Sequence, residues 1–339
     1  MRGTVERRST ELEPIPTASL GLLVALLSAG CGAAPTEPTE PLLEASASLA
    51  APPGLPESRA PEAPSAGPEQ LAEAGFVSTA RTSGRAREGM QLVPAGPYWT
   101  GCDKGRDPFC REQDEAFRQV ELGDYQIDTF EVTVRNYAAC VDAGACDATR
   151  MGGFDDREDD EWMYCNWGKA GKDEHPINCV SWDQADTYCR WAGKRLPSAA
   201  EWEKAARGTD RRAYPWGDEM ISCEYAVTNE TSKATDKGCG ENTTQPVGSR
   251  PRGVSPYGVH DIVGNVWEWT ADRYVPPPGA KNVRDNERVG KGGCWGSGNP
   301  WNSRISWSHH YPADYRSNIR LGFRCAADVE RAQAATASR

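Results

Sequence analysis

The sequence predicts an α+β fold: one large, loop-rich domain that is cross-linked by disulfides. Three helix-capping patterns follow one another between residues 131 and 208. The segments after them are rich in Gly, Pro, Asn and Trp, which favours short strands and long loops. The chain also has 12 Cys and 12 Trp among its 339 residues. That composition is typical of loop-rich domains with covalent cross-links.

Three helices are predicted from caps and periodicity. Thr133 can cap the first, because four apolar residues after it fall on one face: Val134, Tyr137, Ala138 and Val141. The motifs 181–184 and 198–201 are capping boxes, with Ser first and Gln or Glu fourth. They predict a second helix through Trp191 and a third that ends before Gly208.

The N-terminus predicts export. Residues 18–30 form an apolar stretch that is too short to span a bilayer comfortably, and Cys31 follows it. Residues 27–31 resemble the cleavage box of a bacterial lipoprotein, in which the cysteine thiol is lipidated. We therefore expect a lipoprotein of the cell envelope, in the periplasm or at the outer membrane. A plain secretory signal, and hence a secreted protein, is the alternative.

The rest of the chain divides by composition. Residues 32–87 are rich in Pro, Ala, Ser and Glu and contain no Cys, Trp or Tyr, which predicts a disordered tether. The folded domain is expected over 88–328, followed by a polar tail, 329–339. A net charge of −11 without a basic cluster argues against nucleic-acid binding. We expect membrane contact only through the lipid.

Setting Cys31 aside leaves eleven cysteines for an oxidising compartment. Four pairings are suggested by proximity in sequence, although spacing alone does not fix connectivity: Cys102 with Cys110, Cys140 with Cys146, Cys165 with Cys179, and Cys223 with Cys239. Because eleven is odd, one thiol should be left over, and Cys294 is the candidate.

Several motifs in order resemble the formylglycine-generating enzyme (sulfatase-modifying factor) family. They are the segments at 90–101, 131–133, 175–182, 195–208, 214–217, 258–269, 292–295 and 321–325. The most specific read RLPSAAEWE, GVHDIVGNVWEW and LGFRC. The resemblance covers about 90–326 and implies a fold related to the C-type lectins. It also implies a disulfide between Cys189 and Cys325.

Enzymes of this family oxidise a cysteine of a sulfatase peptide, using copper held by two thiolates. Counted from Trp295, those thiolates would stand at Ser297 and Asn302. A hydroxyl and an amide are hard, weak ligands for Cu(I), so copper is not expected. Cys294 stands where the family has a small polar residue lining the cleft. Its thiol could be reactive or hold a metal, or it could be buried or disulfide-bonded.

The resemblance also implies a calcium site. Its ligands would be the side chains of Asp261 and Glu268 and the carbonyls of Gly264 and Val266. Hard oxygen ligands that include two carboxylates suit calcium. In the alternative, Asp261 caps a turn and Glu268 pairs with an arginine.

Aromatic and basic residues concentrate in the segments that form the family's substrate cleft. The candidate ligand-binding residues are Trp267, Trp295, Trp301, Arg304 and Arg320. Aromatic faces beside guanidinium groups suit a peptide, a protein segment, a small molecule or a glycan. We therefore expect a ligand-binding member of the family without copper. One alternative is an oxidoreductase that generates formylglycine or uses another metal, as in periplasmic siderophore maturation. The other is a lectin-like adhesion module.

Overall fold

The computed structural model describes residues 86–111, 115–149, 151, 163–276, 284–315 and 320–330. The signal segment, Cys31, nearly all of the tether and most of the polar tail lie outside the described residues. Among the residues that are described, no helix is both long and apolar enough to cross a membrane.

Three α-helices form where the capping patterns predict them: α1 Val134–Asp142, α2 Trp182–Trp191 and α3 Ala199–Arg207. Thr133 caps α1 by accepting from the N–H of Asn136. Ser181 and Ser198 each form a complete capping box. Local sequence therefore determines the start of every helix, because the cap pairs a backbone N–H that the helix leaves free.

In the described ranges, nine short strands form three sheets. The strands are β1 Met90–Val93, β2 Gly96–Thr100, β3 Arg118–Leu122, β4 Tyr125–Asp128, β5 Trp267–Arg273, β6 Glu287–Lys291, β7 Ser308–Pro312, β8 Leu321–Gly322 and β9 Ala326–Asp328. Their orders are β1-β4-β9, β2-β3 and β7-β6-β5-β8. All pairs are antiparallel except β5 with β8. Because β9 pairs with β4, the two ends of the domain meet in one sheet.

The four disulfides expected from proximity are present. They join Cys102 to Cys110, Cys140 to Cys146, Cys165 to Cys179 and Cys223 to Cys239. The disulfide implied by the resemblance, between Cys189 and Cys325, is present as well and joins residues 136 apart in sequence. It links α2 to the segment just before β9, across the larger of two buried apolar clusters. The prediction of a disulfide-stapled α+β domain is confirmed.

The prediction that Cys294 is a left-over thiol is wrong. Cys294 is fully buried and disulfide-bonded, and no free cysteine occurs in the described part of the chain. A disulfide sulfur is neither a nucleophilic thiolate nor a thiolate metal ligand.

Candidate functional site

Residues 292–304, which we call the site loop, contain Ser297 and Asn302, the two positions at which the resemblance implies copper thiolates. The loop begins with Gly292 and Gly293 at φ of +99° and +77°. A Cβ on Gly293 would lie 2.5 Å from Ser303 Oγ, and one on Gly292 would lie 2.9 Å from Ile262 O. The two glycines let the start of the loop pack against its own end and against a neighbouring segment.

Ser297 is buried and closes a tight turn in the site loop. Its N–H donates to the carbonyl oxygen of Cys294 (2.9 Å), and its Oγ accepts from the N–H of Cys294 (3.0 Å). Its carbonyl accepts from the Asn229 N–H (3.1 Å) and from Thr228 Oγ (2.9 Å). The serine side chain at the first copper position thus has a structural role, because it pairs a backbone donor of its own turn.

Asn302 is buried in a 3₁₀ turn, Pro300–Ser303. Its N–H donates to the carbonyl oxygen of Asn299 at 3.1 Å. A hydroxyl held in a turn and an amide offer no soft ligand. The residues at the two positions therefore do not fit Cu(I).

Arg304, at the end of the site loop, belongs to a buried ion pair. Its Nη1 donates to Asp107 Oδ2 at 3.0 Å and lies 2.9 Å from Cys102 Sγ. Cys102, Asp107 and Cys110 form the one group of three possible metal ligands in the described ranges. Because the two sulfurs are bonded to each other, they are not thiolate ligands. The prediction that Arg304 contacts a ligand directly is wrong, since its side chain has no exposed surface.

The predicted aromatic cleft residues divide into two groups. Trp267 and Trp295 are 0 % and 1 % exposed and belong to the core, so they do not line an open surface as predicted. Trp301 and Arg320 are half-buried and reach solvent. The Arg320 guanidinium carbon lies 5.8 Å from the Trp295 ring centre, within cation–π range.

Several buried donors around the site loop have no hydrogen-bond partner among the residues that the structure describes. They are the indole N–H groups of Trp267, Trp295 and Trp307 and the hydroxyl of Ser303. Folded proteins rarely leave such donors unpaired, and a water or a ligand usually supplies the acceptor. Sequence reasoning did not mark Ser303, because nothing local distinguishes it from any other loop serine.

A second feature lies beside the site loop: three buried acids around one buried arginine. We call Glu131, Asp261, Glu268 and Arg324 the carboxylate centre. Arg324 binds Glu268 through two hydrogen bonds, from Nε to Oε2 and from Nη2 to Oε1, both 2.7 Å long. Trp202 Nε1 also donates to Glu268 Oε2 (2.8 Å). The pairing of Glu268 with an arginine, the alternative to calcium ligation, is therefore present.

Asp261 lies in the same centre at φ +50°, and one of its oxygens, Oδ2, accepts from the Gly248 N–H. Burial raises its pKa, while that hydrogen bond and the charges of Arg324 and half-buried Arg250 hold it down. Burial, followed by the charges of Asp261 and Glu268, raises the pKa of Glu131 well above its usual range.

The carboxylate centre holds both parts of the alternative to calcium ligation. Asp261 accepts from a loop N–H, and both oxygens of Glu268 accept from Arg324. Burial favours the neutral form of Glu131, because its pKa is raised well above its usual range. A cation at Glu268 would lie beside the guanidinium that already pairs with this carboxylate. The described residues do not bring the three acids together as one group of metal ligands.

Glu131 has a place in this site that sequence reasoning missed. Its Oε2 accepts from Asn265 Nδ2 (2.8 Å) and its Oε1 from the Val266 N–H (3.2 Å). Glu131 is one of the residues behind the family resemblance, yet the sequence assigned it no role. Glu131 and Asn265 are 134 residues apart in sequence, so no local pattern predicts their contact.

Comparisons with known proteins agree with this architecture. A family model, the sulfatase-modifying factor enzyme 1-like domain, matches residues 77–329. "Inactive C-alpha-formylglycine-generating enzyme 2" of Mus musculus is 36% identical over 278 residues, covering 71% of this chain and 86% of that protein. "Formylglycine-generating enzyme" of Mus musculus is 32% identical over 287 residues, covering 70% and 75%.

A solved structure, that of PvdO from Pseudomonas aeruginosa, superposes with a TM-score of 0.53 at 25% identity. It covers 70% of this chain and 94% of PvdO. The family model accounts for nearly the whole described domain, including the site loop and the carboxylate centre. The chain therefore belongs to the formylglycine-generating enzyme, or sulfatase-modifying factor, family.

Proposed function

We propose that this protein is an exported, lipid-anchored binding domain of the family that does not generate formylglycine. The proposal rests on the burial and the donor atoms of Ser297 and Asn302. Both are buried, and neither has a sulfur to hold copper. The Ser297 hydroxyl is already engaged in its own turn. The fold of the family is thus kept while the donor set of its redox chemistry is replaced.

One relative supports this direction. The Mus musculus protein whose name describes it as inactive is 36% identical to this chain. Its name shows that the family's domain exists without the oxidation reaction. The present chain has disulfides and buried ion pairs but no copper ligands at these two positions. This is consistent with the absence of the oxidation reaction here.

The ligand we propose is a peptide, a small molecule or a glycan that offers oxygen acceptors at the site loop. The unpaired donors of Trp295 and Ser303 support this, because an acceptor atom would satisfy them. Trp301 and Arg320 are half-buried at the same loop and can add contacts from the solvent side. With a net charge of −11, nucleic acid is not proposed as a partner.

Calcium is proposed as a structural ion at the carboxylate centre. When bound, it would supply positive charge among Glu131, Asp261 and Glu268. Asp261, Glu268 and the carbonyls of Gly264 and Val266 would hold it. The support is the resemblance of residues 258–269 to the family, which implies these four ligands.

Export and the lipid anchor rest on the apolar stretch and on Cys31. Lipidation consumes the thiol of Cys31, so one measurement tests the anchor. The intact mass of the unreduced chain, recovered from membranes, should show cleavage before Cys31 and the added mass of acyl chains. A soluble chain cleaved elsewhere, or a Cys31 found in a disulfide, would overturn the anchor.

Copper binding and peptide oxidation test the central proposal. We expect the full chain to bind no stoichiometric Cu(I) and to leave the cysteine of a sulfatase-derived peptide unchanged under oxygen. The double variant Ser297→Cys/Asn302→Cys is the matched comparison, and it should gain Cu(I) binding because it restores a pair of soft ligands. Aldehyde formation by the wild-type chain, read by mass spectrometry, would overturn the proposal.

The second candidate is an oxidoreductase that uses another metal. The similarity to the Mus musculus formylglycine-generating enzyme, 32% over 287 residues, favours it. Iron or copper at about one per chain in the purified protein, together with turnover of the sulfatase-derived peptide, would select this candidate.

A further inference from the structure

The disulfide between Cys102 and Cys110 has charged neighbours at one of its two sulfurs. Arg304 Nη1 lies 2.9 Å from Cys102 Sγ, and Asp107 Oδ2 lies 3.3 Å from the same sulfur. The guanidinium and the carboxylate also pair with each other at 3.0 Å, and both are buried. Little water screens these charges, so their effect on the sulfur is larger than it would be at the surface.

The two sulfurs of this disulfide differ in their access to solvent. Cys102 is 4% exposed, whereas Cys110 is half-buried. Thiol–disulfide exchange begins when a thiolate attacks one sulfur and the other sulfur leaves as a thiolate. A thiol that arrives from solution reaches Cys110 more easily, and attack there makes Cys102 the leaving group.

The charged neighbours stabilise Cys102 better as a released cysteine than as half of a disulfide. In the disulfide, Cys102 Sγ carries no proton, so it faces Asp107 Oδ2 as one acceptor faces another. Once released as a thiolate, the sulfur accepts a charge-assisted hydrogen bond from Arg304 Nη1. Once protonated, its S–H can donate to Asp107 Oδ2. Either released form gains an interaction that the disulfide lacks.

We propose that Cys102–Cys110 is a redox-active disulfide that exchanges with thiols, with Cys110 as the attacked sulfur and Cys102 as the leaving group stabilised by Arg304. The inference goes beyond the proposed binding function and does not depend on it. Because Arg304 is the last residue of the site loop, the reaction would take place at the end of that loop.

The substrate class is a dithiol, and the reaction has two steps. The first thiolate of the dithiol forms a mixed disulfide with Cys110, and the bond between Cys110 and Cys102 breaks. The second thiolate then attacks the sulfur of its own molecule in that mixed disulfide, and Cys110 leaves as a thiolate. The dithiol loses two electrons and becomes a disulfide, while its two protons end on Cys102 and Cys110.

The disulfide between Cys140 and Cys146 provides a matched comparison within the same chain. Its cysteines are 6 residues apart in sequence, against 8 for Cys102 and Cys110. In each disulfide one cysteine is buried and the other is half-buried. Among the described residues, no charged side chain hydrogen-bonds to the sulfur of Cys140 or Cys146. The charged neighbours therefore distinguish two disulfides that are otherwise similar in loop length and access.

Graded reduction of the folded full chain tests the proposal. The chain is equilibrated at increasing ratios of reduced to oxidised dithiothreitol, and the reduced cysteines are identified by alkylation and peptide mass spectrometry. We expect Cys102–Cys110 to be half reduced at a ratio at least about tenfold lower than Cys140–Cys146. Half reduction of the two disulfides at the same ratio, or of Cys140–Cys146 at the lower one, would overturn the proposal.

A monothiol tests which sulfur is attacked. The chain is exposed to reduced glutathione and quenched with acid, and the adduct is located by peptide mass spectrometry. Glutathione should be found on Cys110, because the attacking thiolate bonds to the sulfur that it can reach. An adduct mainly on Cys102, or on neither cysteine, would overturn the assignment of the leaving group.

The variant Arg304→Gln tests the part played by the guanidinium. Without its charge, we expect the ratio needed for half reduction of Cys102–Cys110 to rise about tenfold, and Arg304→Lys should restore part of the difference. The matched control is Arg106→Gln, which removes an exposed arginine of the same 102–110 loop that pairs with Asp218 and should keep the wild-type ratio. A wild-type ratio in Arg304→Gln would overturn the role of Arg304. The comparison of the two disulfides in the wild-type chain is decisive whether or not this variant folds.

Discussion

The site loop and the carboxylate centre lie next to each other, but they differ in the kind of side chain that they carry. The site loop has two positive-φ glycines and a tight turn, and it carries a hydroxyl and an amide at Ser297 and Asn302. The carboxylate centre is built from charged groups, and Arg324 pairs with Glu268 through two hydrogen bonds.

The two regions meet different requirements: one concerns redox chemistry and the other concerns the stability of the fold. A soft ligand pair serves redox chemistry, whereas the turn of this loop forms with a serine at its centre. A buried charge cluster is needed for the fold itself, because an acid without its partner is costly wherever it is buried. Because a shared fold does not fix activity, the donor atoms at positions 297 and 302 are what the proposed function rests on.

The largest effect is expected from breaking the carboxylate centre. Arg324→Met removes the partner of Glu268 and the donor to three backbone carbonyls, those of Asp128, Thr129 and His260. We expect the free energy of unfolding to fall by about 3–5 kcal/mol, measured by denaturant unfolding in chelator. The double variant Arg324→Met/Glu268→Leu should lose less than the single variant, since no unpaired acid is left. A double variant that loses as much as the two single changes together would contradict a charge-based account.

A smaller effect is expected at the site loop, where Asp107→Ala leaves Arg304 buried. Arg304 keeps its contact with Cys102 Sγ and its hydrogen bond to Trp301 O (3.1 Å), so the charge remains partly compensated. We expect a loss of about 2–3 kcal/mol by the same measurement. Asp210→Ala is the matched control, because its pairing with Arg212 is at the surface and should matter by less than about 1 kcal/mol. Equal losses would show that the buried pair is no stronger than the exposed one.

The features that could be predicted from sequence are those with a local cause. Each helix starts at a cap read from four residues, and four disulfides close loops between cysteines 6 to 16 residues apart. The fifth disulfide, across 136 residues, came only from the resemblance. Neither periodicity nor proximity could have found it.

The rest of the site depends on contacts that local sequence does not encode. Arg304 resembled a ligand-binding residue because it lies among tryptophans, but its partner, Asp107, is 197 residues away. Glu131 carried no signal because its partners, Asn265 and Val266, lie in another segment of the chain. Long-range pairing decides whether a charged side chain is a binding group or part of the core. The calcium ligands and the cleft remain predictions.

The smallest effect concerns His309 on β7, whose ring stacks on Tyr311 and meets the edge of Trp267. Burial lowers the pKa of His309 to about 4 from its ordinary 6.5. A depressed histidine pKa means that the unfolded chain binds more protons between these values. Stability from the neutral ring is therefore full above about pH 6.5 and is lost as pH falls towards 4.

The variant His309→Phe keeps the stacking and removes this titration. The ring retains some solvent contact, so we expect the loss of unfolding free energy between pH 7 and pH 4.5 to shrink by only about 1–2 kcal/mol relative to wild type. His175, whose pKa is also lowered to about 4, keeps a residual slope in both proteins. Parallel pH profiles for wild type and variant would mean that the His309 ring titrates in the folded protein as it does in the unfolded chain. The surroundings of His309 would then be more open to water than the carboxylate centre.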